Sequence, residues 1–172
     1  MSRALGVAAL LLTVMACGAD TSPRIAKNPN RVAPPPSTPA DTAGVELYSA
    51  AFLARVADEL AKGTTTARTV GGHPTFHYVE ARRNASGEPE VHDRWIDVTI
   101  VQAGHATLLT GGRVDGDRLA SPGEHRGGTI VGGTPRPIAA GDLVVIAAGV
   151  PHQYQLARGD SVRYLTIKVK SG

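Results

Sequence analysis

Residues 90–104 read EVHDRWIDVTIVQAG. A glutamate, a histidine and two aspartates (Glu90, His92, Asp93, Asp97) stand at the mouth of an alternating, β-branched run that ends on Gly104. Alternation with a period of two marks a half-buried strand, so these ionisable groups sit where a core begins. Side chains five apart point to opposite faces of a regular strand. His92 and Asp97 therefore share a face only if the chain bends or bulges within DRW, residues 93–95. With that bend, Asp97, Thr99 and Val101 line one interior.

Runs of the same kind fill the rest of the chain. TFHYVEA (75–81), ATLLT (106–110), TIVGG (129–133), RPIAA (136–140), DLVVIAA (142–148), QYQLA (153–157) and SVRYLTIKV (161–169) are separated by glycine, proline or the Asp115, Gly116 pair. This short spacing suits a sandwich or closed barrel, and no helical patterns alternate with the strands as a parallel sheet would need. One helix leads them. In residues 45–62 (VELYSAAFLARVADELAK), Tyr48, Phe52, Val56 and Leu60 form a four-residue row for packing, and Gly63 is expected to stop the helix as a C-terminal glycine cap. Residues 111–133 exceed a simple hairpin connection and read as a long loop over the barrel mouth, with Glu124, His125 and Arg126 as solvated charge.

A length of 172 residues allows one domain plus appendages. The 18 Lys and Arg against 15 Asp and Glu are scattered, with only Arg82 and Arg83 adjacent, so the basic stripe of a nucleic-acid reader is missing. A nucleophile elbow, a phosphate-binding GxxxxGKS and a dinucleotide fingerprint are missing too, which leaves hydrolase and nucleotide readings without support.

The first 16 residues read as an export signal, with Arg3 ahead of an apolar run too short to span a bilayer. VMAC (14–17) resembles the lipobox of bacterial lipoproteins. That resemblance implies that Cys17, the sole cysteine, is acylated and tethers the mature protein to a membrane outside the cytoplasm, periplasmic or at the cell surface. Residues 17–44, with Pro34, Pro35, Pro36 and Pro39, read as a spacer. A helix over 45–63 and a barrel over 64–172 complete the expected organisation.

Residues 90–104 and 141–154 (GDLVVIAAGVPHQY) together resemble the two motifs of the cupin family. In the first, His92 takes the second histidine, Asp97 the glutamate position, Glu90 the first histidine's place, and Gly104 the closing glycine. In the second, Gly141, Gly149 and His152 match, Ala147 replaces a proline, and Leu156 stands where an asparagine is common. The resemblance covers roughly residues 75–169. It implies an all-β, double-stranded β-helix or jelly-roll barrel preceded by one amphipathic helix, with isomerase and dioxygenase chemistry both within the family's range, and pairing of barrels into a homodimer.

The family's familiar ligands are three histidines and one glutamate. Here two imidazoles, His92 and His152, join carboxylates from Glu90 and Asp97, a nitrogen and oxygen set that suits a divalent Mn, Fe, Ni or Zn ion better than a thiolate-seeking metal. Gln153, Tyr154 and Trp95 are candidate substrate contacts, Trp95 equally a core residue. His105 reads as a turn residue after Gly104. Three readings remain open on these residues: a metal site handling a small oxygen-rich molecule, a metal-free pocket for a small ligand or carbohydrate, and a purely structural barrel.

Overall fold

A computed structural model describes residues 44–63 and 66–172. The signal, Cys17 and all of the spacer before Gly44 lie outside them. Among the described residues, no helix is long and apolar enough to cross a membrane.

Helix α1 spans Ala50–Lys62 and starts later than the apolar row suggests. The reason is Ser49, whose extended backbone and side chain, accepting from the Phe52 amide at 3.1 Å, make it the N-cap. Tyr48 consequently lies before the helix, its ring packed 5.1 Å from that of Tyr78. Phe52, Val56 and Leu60 are buried together, as the row requires. Gly63 ends the helix differently from the expected glycine cap: its backbone is extended (φ −98°) and its amide returns to the Leu60 carbonyl.

Strands β1 (Ala67–His73) and β2 (Phe76–Arg83) form a hairpin. β3 (Glu90–His92) is separated by a bend at Asp93 and Arg94 from β4 (Trp95–Thr110), a single strand that unites the runs WIDVTIVQ and ATLLT. The bend required by the odd spacing of His92 and Asp97 is thus present. β5 (Arg113–Asp115), β6 (Arg118–Ser121), β7 (Glu124–Arg126) and β8 (Thr129–Val131) occupy the segment read as a loop. It is a stack of very short strands, whose three or four residues carry too few alternations to register as a pattern. β9 (Thr134–Ala139), β10 (Leu143–Ile146), β11 (His152–Gln155) and β12 (Val162–Lys170) follow.

The main sheet runs β1-β2-β12-β4-β11-β3-β7-β6, every pairing antiparallel, with β9 and β10 also on β4. The first half of β4 pairs with β12 and β10, the second with β11 and β9, so β4 carries the curl of the sheet from one face of the barrel to the other. Gly104 is the corner. Its φ of +73° disfavours other residues, and a Cβ there would lie 1.9 Å from the Ser161 carbonyl oxygen. His105 is not in a turn; it continues β4 just past this corner.

Alternation along β4 sorts its residues into layers. Asp97, Thr99 and Val101 are buried on one face, and directly opposite them on β12 stand Lys168, Thr166 and Tyr164. Val101 and Tyr164 belong to the apolar core with Leu108, Ile138, Tyr154 and Val162. One step along the rows, Thr99 and Thr166 share a hydrogen bond of 2.8 Å. The next step is ionic: Lys168 donates to Asp97 at 2.7 Å.

Candidate metal centre

The cluster is assembled by strand register. His152 on β11 stands opposite Glu90 on β3, Glu90 opposite Arg126 on β7, and His92 opposite Glu124. The turn leading into β11 is tied to β3 by the Gly149 amide, which donates to the His92 carbonyl at 2.8 Å. Both imidazoles and Asp97 are buried, and the side chain of Glu90 is 12% exposed.

One nitrogen of each imidazole is committed. His92 Nδ1 lies 2.6 Å from a Glu124 oxygen and His152 Nδ1 lies 3.1 Å from the Val150 carbonyl. A carboxylate and a carbonyl only accept, so both Nδ1 atoms carry the hydrogen. The Nε2 atoms face the cluster. From His92 Nε2 the nearer oxygens of Asp97 and Glu90 are 3.5 and 3.6 Å away, and from His152 Nε2 they are 3.8 and 3.9 Å away. These gaps exceed hydrogen-bond length. Buried His92 Nε2 therefore has no hydrogen-bond partner among the described residues.

The carboxylates divide their oxygens. Glu90 Oε1 takes Arg83 at 3.0 Å and also Arg126, which leaves Oε2 toward the imidazoles. Asp97 Oδ1 takes Lys168, which leaves Oδ2. Burial pushes the Glu90 carboxyl up, but His92, Arg126 and Arg83 outweigh it and hold its pKa at about 2. Asp97 is likewise lowered, burial being overcome by His92 and Lys168. Burial lowers the pKa of His152, which favours the neutral ring. For His92 burial acts the same way, yet Asp97 and Glu90 prevail and raise it to about 9.

Glu90, His92 and His152 each offer one atom within 4.8 Å of the others; Asp97 stands outside that group, with Oδ2 3.5 and 3.8 Å from the two Nε2 atoms. Ligands roughly 2.1 Å from a tetrahedral ion stand about 3.4 Å apart. The measured 3.5 to 3.9 Å is slightly wider, and both Nδ1–H groups are already bonded outward, the arrangement usual around metal-bound histidines. The donor set fits a divalent ion. The carboxylate charge is not free to balance an ion, because Arg83, Arg126 and Lys168 already face it.

A cavity of about 90 Å³ adjoins the cluster, with Tyr154, Tyr164, Thr166 and Lys168 in its wall. Tyr154 is thus placed where a substrate contact was expected. Gln153 is not: it follows His152, alternation turns it to the other face, and its amide donates to the Gly87 carbonyl at 2.8 Å. Trp95 lies edge-on to His77 at 4.7 Å and is not among the residues lining this cavity. Glu124 and Arg126 are strand residues in the cluster rather than solvated loop charge. His125, between them, faces away and bonds Asp117. A larger groove of about 290 Å³ runs beside His105 and Asp160, whose ion pair is largely open to solvent on the His105 side.

Sequence reading missed Glu124, Arg83, Arg126 and Lys168. Only Lys168 left a signal: it has the parity of the buried Tyr164 and Thr166 on β12.

No family model and no curated protein matches the chain. Solved structures do. A Bacillus halodurans protein aligns with a TM-score of 0.51 at 13% identity, over 77% of this chain and 86% of its own. A cupin 2 conserved barrel domain protein from Rhodopseudomonas palustris aligns with a TM-score of 0.42 at 20% identity, over 60% and 59%. The fold is mostly β, a curled antiparallel sheet with one helix, and the solved structures it resembles include cupin barrels. The polyketide cyclase RemF from Streptomyces resistomycificus aligns with a TM-score of 0.43 at 18% identity, over 60% of this chain and 63% of its own. The chain therefore spans less than two thirds of the cyclase and of the Rhodopseudomonas palustris protein. Likeness at these identities describes a fold, not its chemistry.

The raised His92 pKa has a stability consequence in the ion-free protein. A folded pKa of about 9, above the ordinary 6.5, stabilises the fold fully below pH 6.5 and loses that contribution as pH rises through 9. NMR titration of His92 is expected to show a midpoint near 9, and Asp97→Asn is expected to lower it. A midpoint below 6.5 would contradict the cluster's electrostatics.

Proposed function

We propose that the barrel holds a divalent ion, Mn, Fe, Ni or Zn, on His92, His152, Glu90 and Asp97, and acts there on a small oxygen-rich molecule. One observation carries this reading: His92 Nε2 is buried without a hydrogen-bond partner while Glu124 holds its Nδ1. A buried polar nitrogen is costly unless something meets it. The ion would supply Lewis acidity or a template for substrate, compatible with isomerase or dioxygenase chemistry.

The chain's own residues do the rest. Glu124 and the Val150 carbonyl fix the two rings, and His92, Arg126 and Arg83 keep Glu90 ionised. Lys168 holds Asp97 by one oxygen. Val101, Leu108 and Val162 belong to the same buried apolar cluster as Tyr154 and Tyr164 of the cavity wall.

A second reading, a non-catalytic small-ligand module, has its own support. With His92 charged, the cluster is electrostatically satisfied without an ion, since each inner carboxylate has a cation. A carbohydrate suits it less, because about 90 Å³ is far below the roughly 300 Å³ of ordinary ligand clefts. In either reading the protein is a lipid-anchored, extracytoplasmic module, supported by the position of Cys17 after its apolar run. Ile100, Leu143 and Val145 leave apolar surface exposed on β4 and β10, which supports a homodimer.

Metal analysis and calorimetric titration discriminate between the readings. One ion per chain is expected, abolished by His152→Ala and weakened about 10- to 100-fold by Glu124→Gln. Folded protein that takes up none of the four metals contradicts the metal reading. For the anchor, Cys17→Ser is expected to move the protein from the membrane fraction to the soluble one; unchanged membrane retention would count against it.

A further inference from the structure

We infer that the cavity beside the metal cluster is built for a short-chain carboxylate. This inference rests on the metal reading. Three observations lead to it independently of any relative: the charge of the cluster, the hydrogen-bonding character of the wall, and the shape of the space.

Three carboxylates, Glu90, Asp97 and Glu124, meet three cations, Arg83, Arg126 and Lys168. With both imidazoles neutral, those charges cancel. A divalent ion then leaves two positive charges without a counterion, among side chains that are mostly withdrawn from solvent: Lys168 is 14% exposed and Arg83 12%. Buried charge is stable only when paired. A bound carboxylate would offset one of these two charges.

The wall presents donors more than acceptors. Lys168 spends one of its three hydrogens on Asp97. Tyr164 accepts from Arg83 at 2.7 Å, and its own hydrogen remains to be given. The Tyr154 hydroxyl reaches Thr99 only at 3.5 Å. Inner carboxylate oxygens, by contrast, are either bonded to cations or turned to the imidazoles. A ligand that accepts hydrogen bonds and donates none fits this wall.

Size and apolarity select among anions. About 90 Å³ is room for roughly three waters, so the ligand has only a few heavy atoms. Ala67, Val79 and Ala81 give the wall its apolar part, and the Tyr154 and Tyr164 rings stack in parallel, 4.6 Å apart. Such surfaces suit a carbon tail, which a short carboxylate has and an inorganic oxyanion lacks.

The test is calorimetry on the full chain loaded with Zn²⁺, using acetate and propionate as probes and inorganic phosphate and glucose as comparisons. The inference expects saturable carboxylate binding, at least about tenfold tighter with Zn²⁺ than without, and tighter than phosphate or glucose. Lys168→Met is expected to weaken carboxylate binding by about tenfold or more. Because Lys168 also holds Asp97, Tyr154→Phe, which removes only a hydroxyl, is the variant expected to weaken carboxylate binding severalfold with one Zn²⁺ per chain retained. Zn²⁺ uptake with no preference for carboxylates, or with phosphate preferred, overturns the inference and leaves the metal reading standing. Failure of the wild-type chain to take up Zn²⁺ overturns both.

Discussion

Both imidazoles of the cluster give their Nδ1 hydrogen to an acceptor outside it, His92 to Glu124 and His152 to the Val150 carbonyl. Each ring is thereby fixed in orientation with Nε2 directed inward. The constraint reaches through the fold, because Glu124 is delivered by β7 and Val150 by the turn into β11, while β3 lies between those strands. A shift of one residue in either pairing would turn Glu90 or His92 away from its neighbour, since side chains alternate faces.

The carboxylates obey a matching rule. Each gives one oxygen to a cation and keeps the other for the cluster, Glu90 through Arg83 and Arg126, Asp97 through Lys168. Burying a carboxylate is expensive, and these cations offset that cost. His92 and these cations together hold both groups ionised, so protons do not compete for the inward oxygens near neutral pH. The remaining charge is on His92, whose nearness to Asp97 and Glu90 keeps it protonated when no other cation is present.

The sequence made part of this legible. The odd spacing of His92 and Asp97 forces the bend at Asp93 and Arg94, and alternation assigns Asp97, Thr99 and Val101 to the interior. The positions of Glu90 and His152 followed from motif spacing, and the pairing of His152 with Glu90 places both in one cluster. What alternation does not give is the partner across the sheet. Lys168 is 71 positions from Asp97, and Glu124 is 32 from His92 in a strand of three residues. Gln153 was misplaced by adjacency to His152, and the helix start by an apolar row that ignored the Ser49 cap. Cys17 lies outside the described residues, so its role still stands on the sequence alone.

The curled sheet thus supplies a scaffold on which a few long-range pairings build one ionic cluster. Anomalous diffraction from a Zn²⁺-soaked crystal at the zinc edge probes it most directly. This account predicts one strong peak per chain, bonded to His92 Nε2 and His152 Nε2, with the Nδ1 contacts to Glu124 and Val150 intact. A peak bonded through Nδ1, a peak elsewhere in the barrel, or no peak in a well-ordered crystal would contradict it.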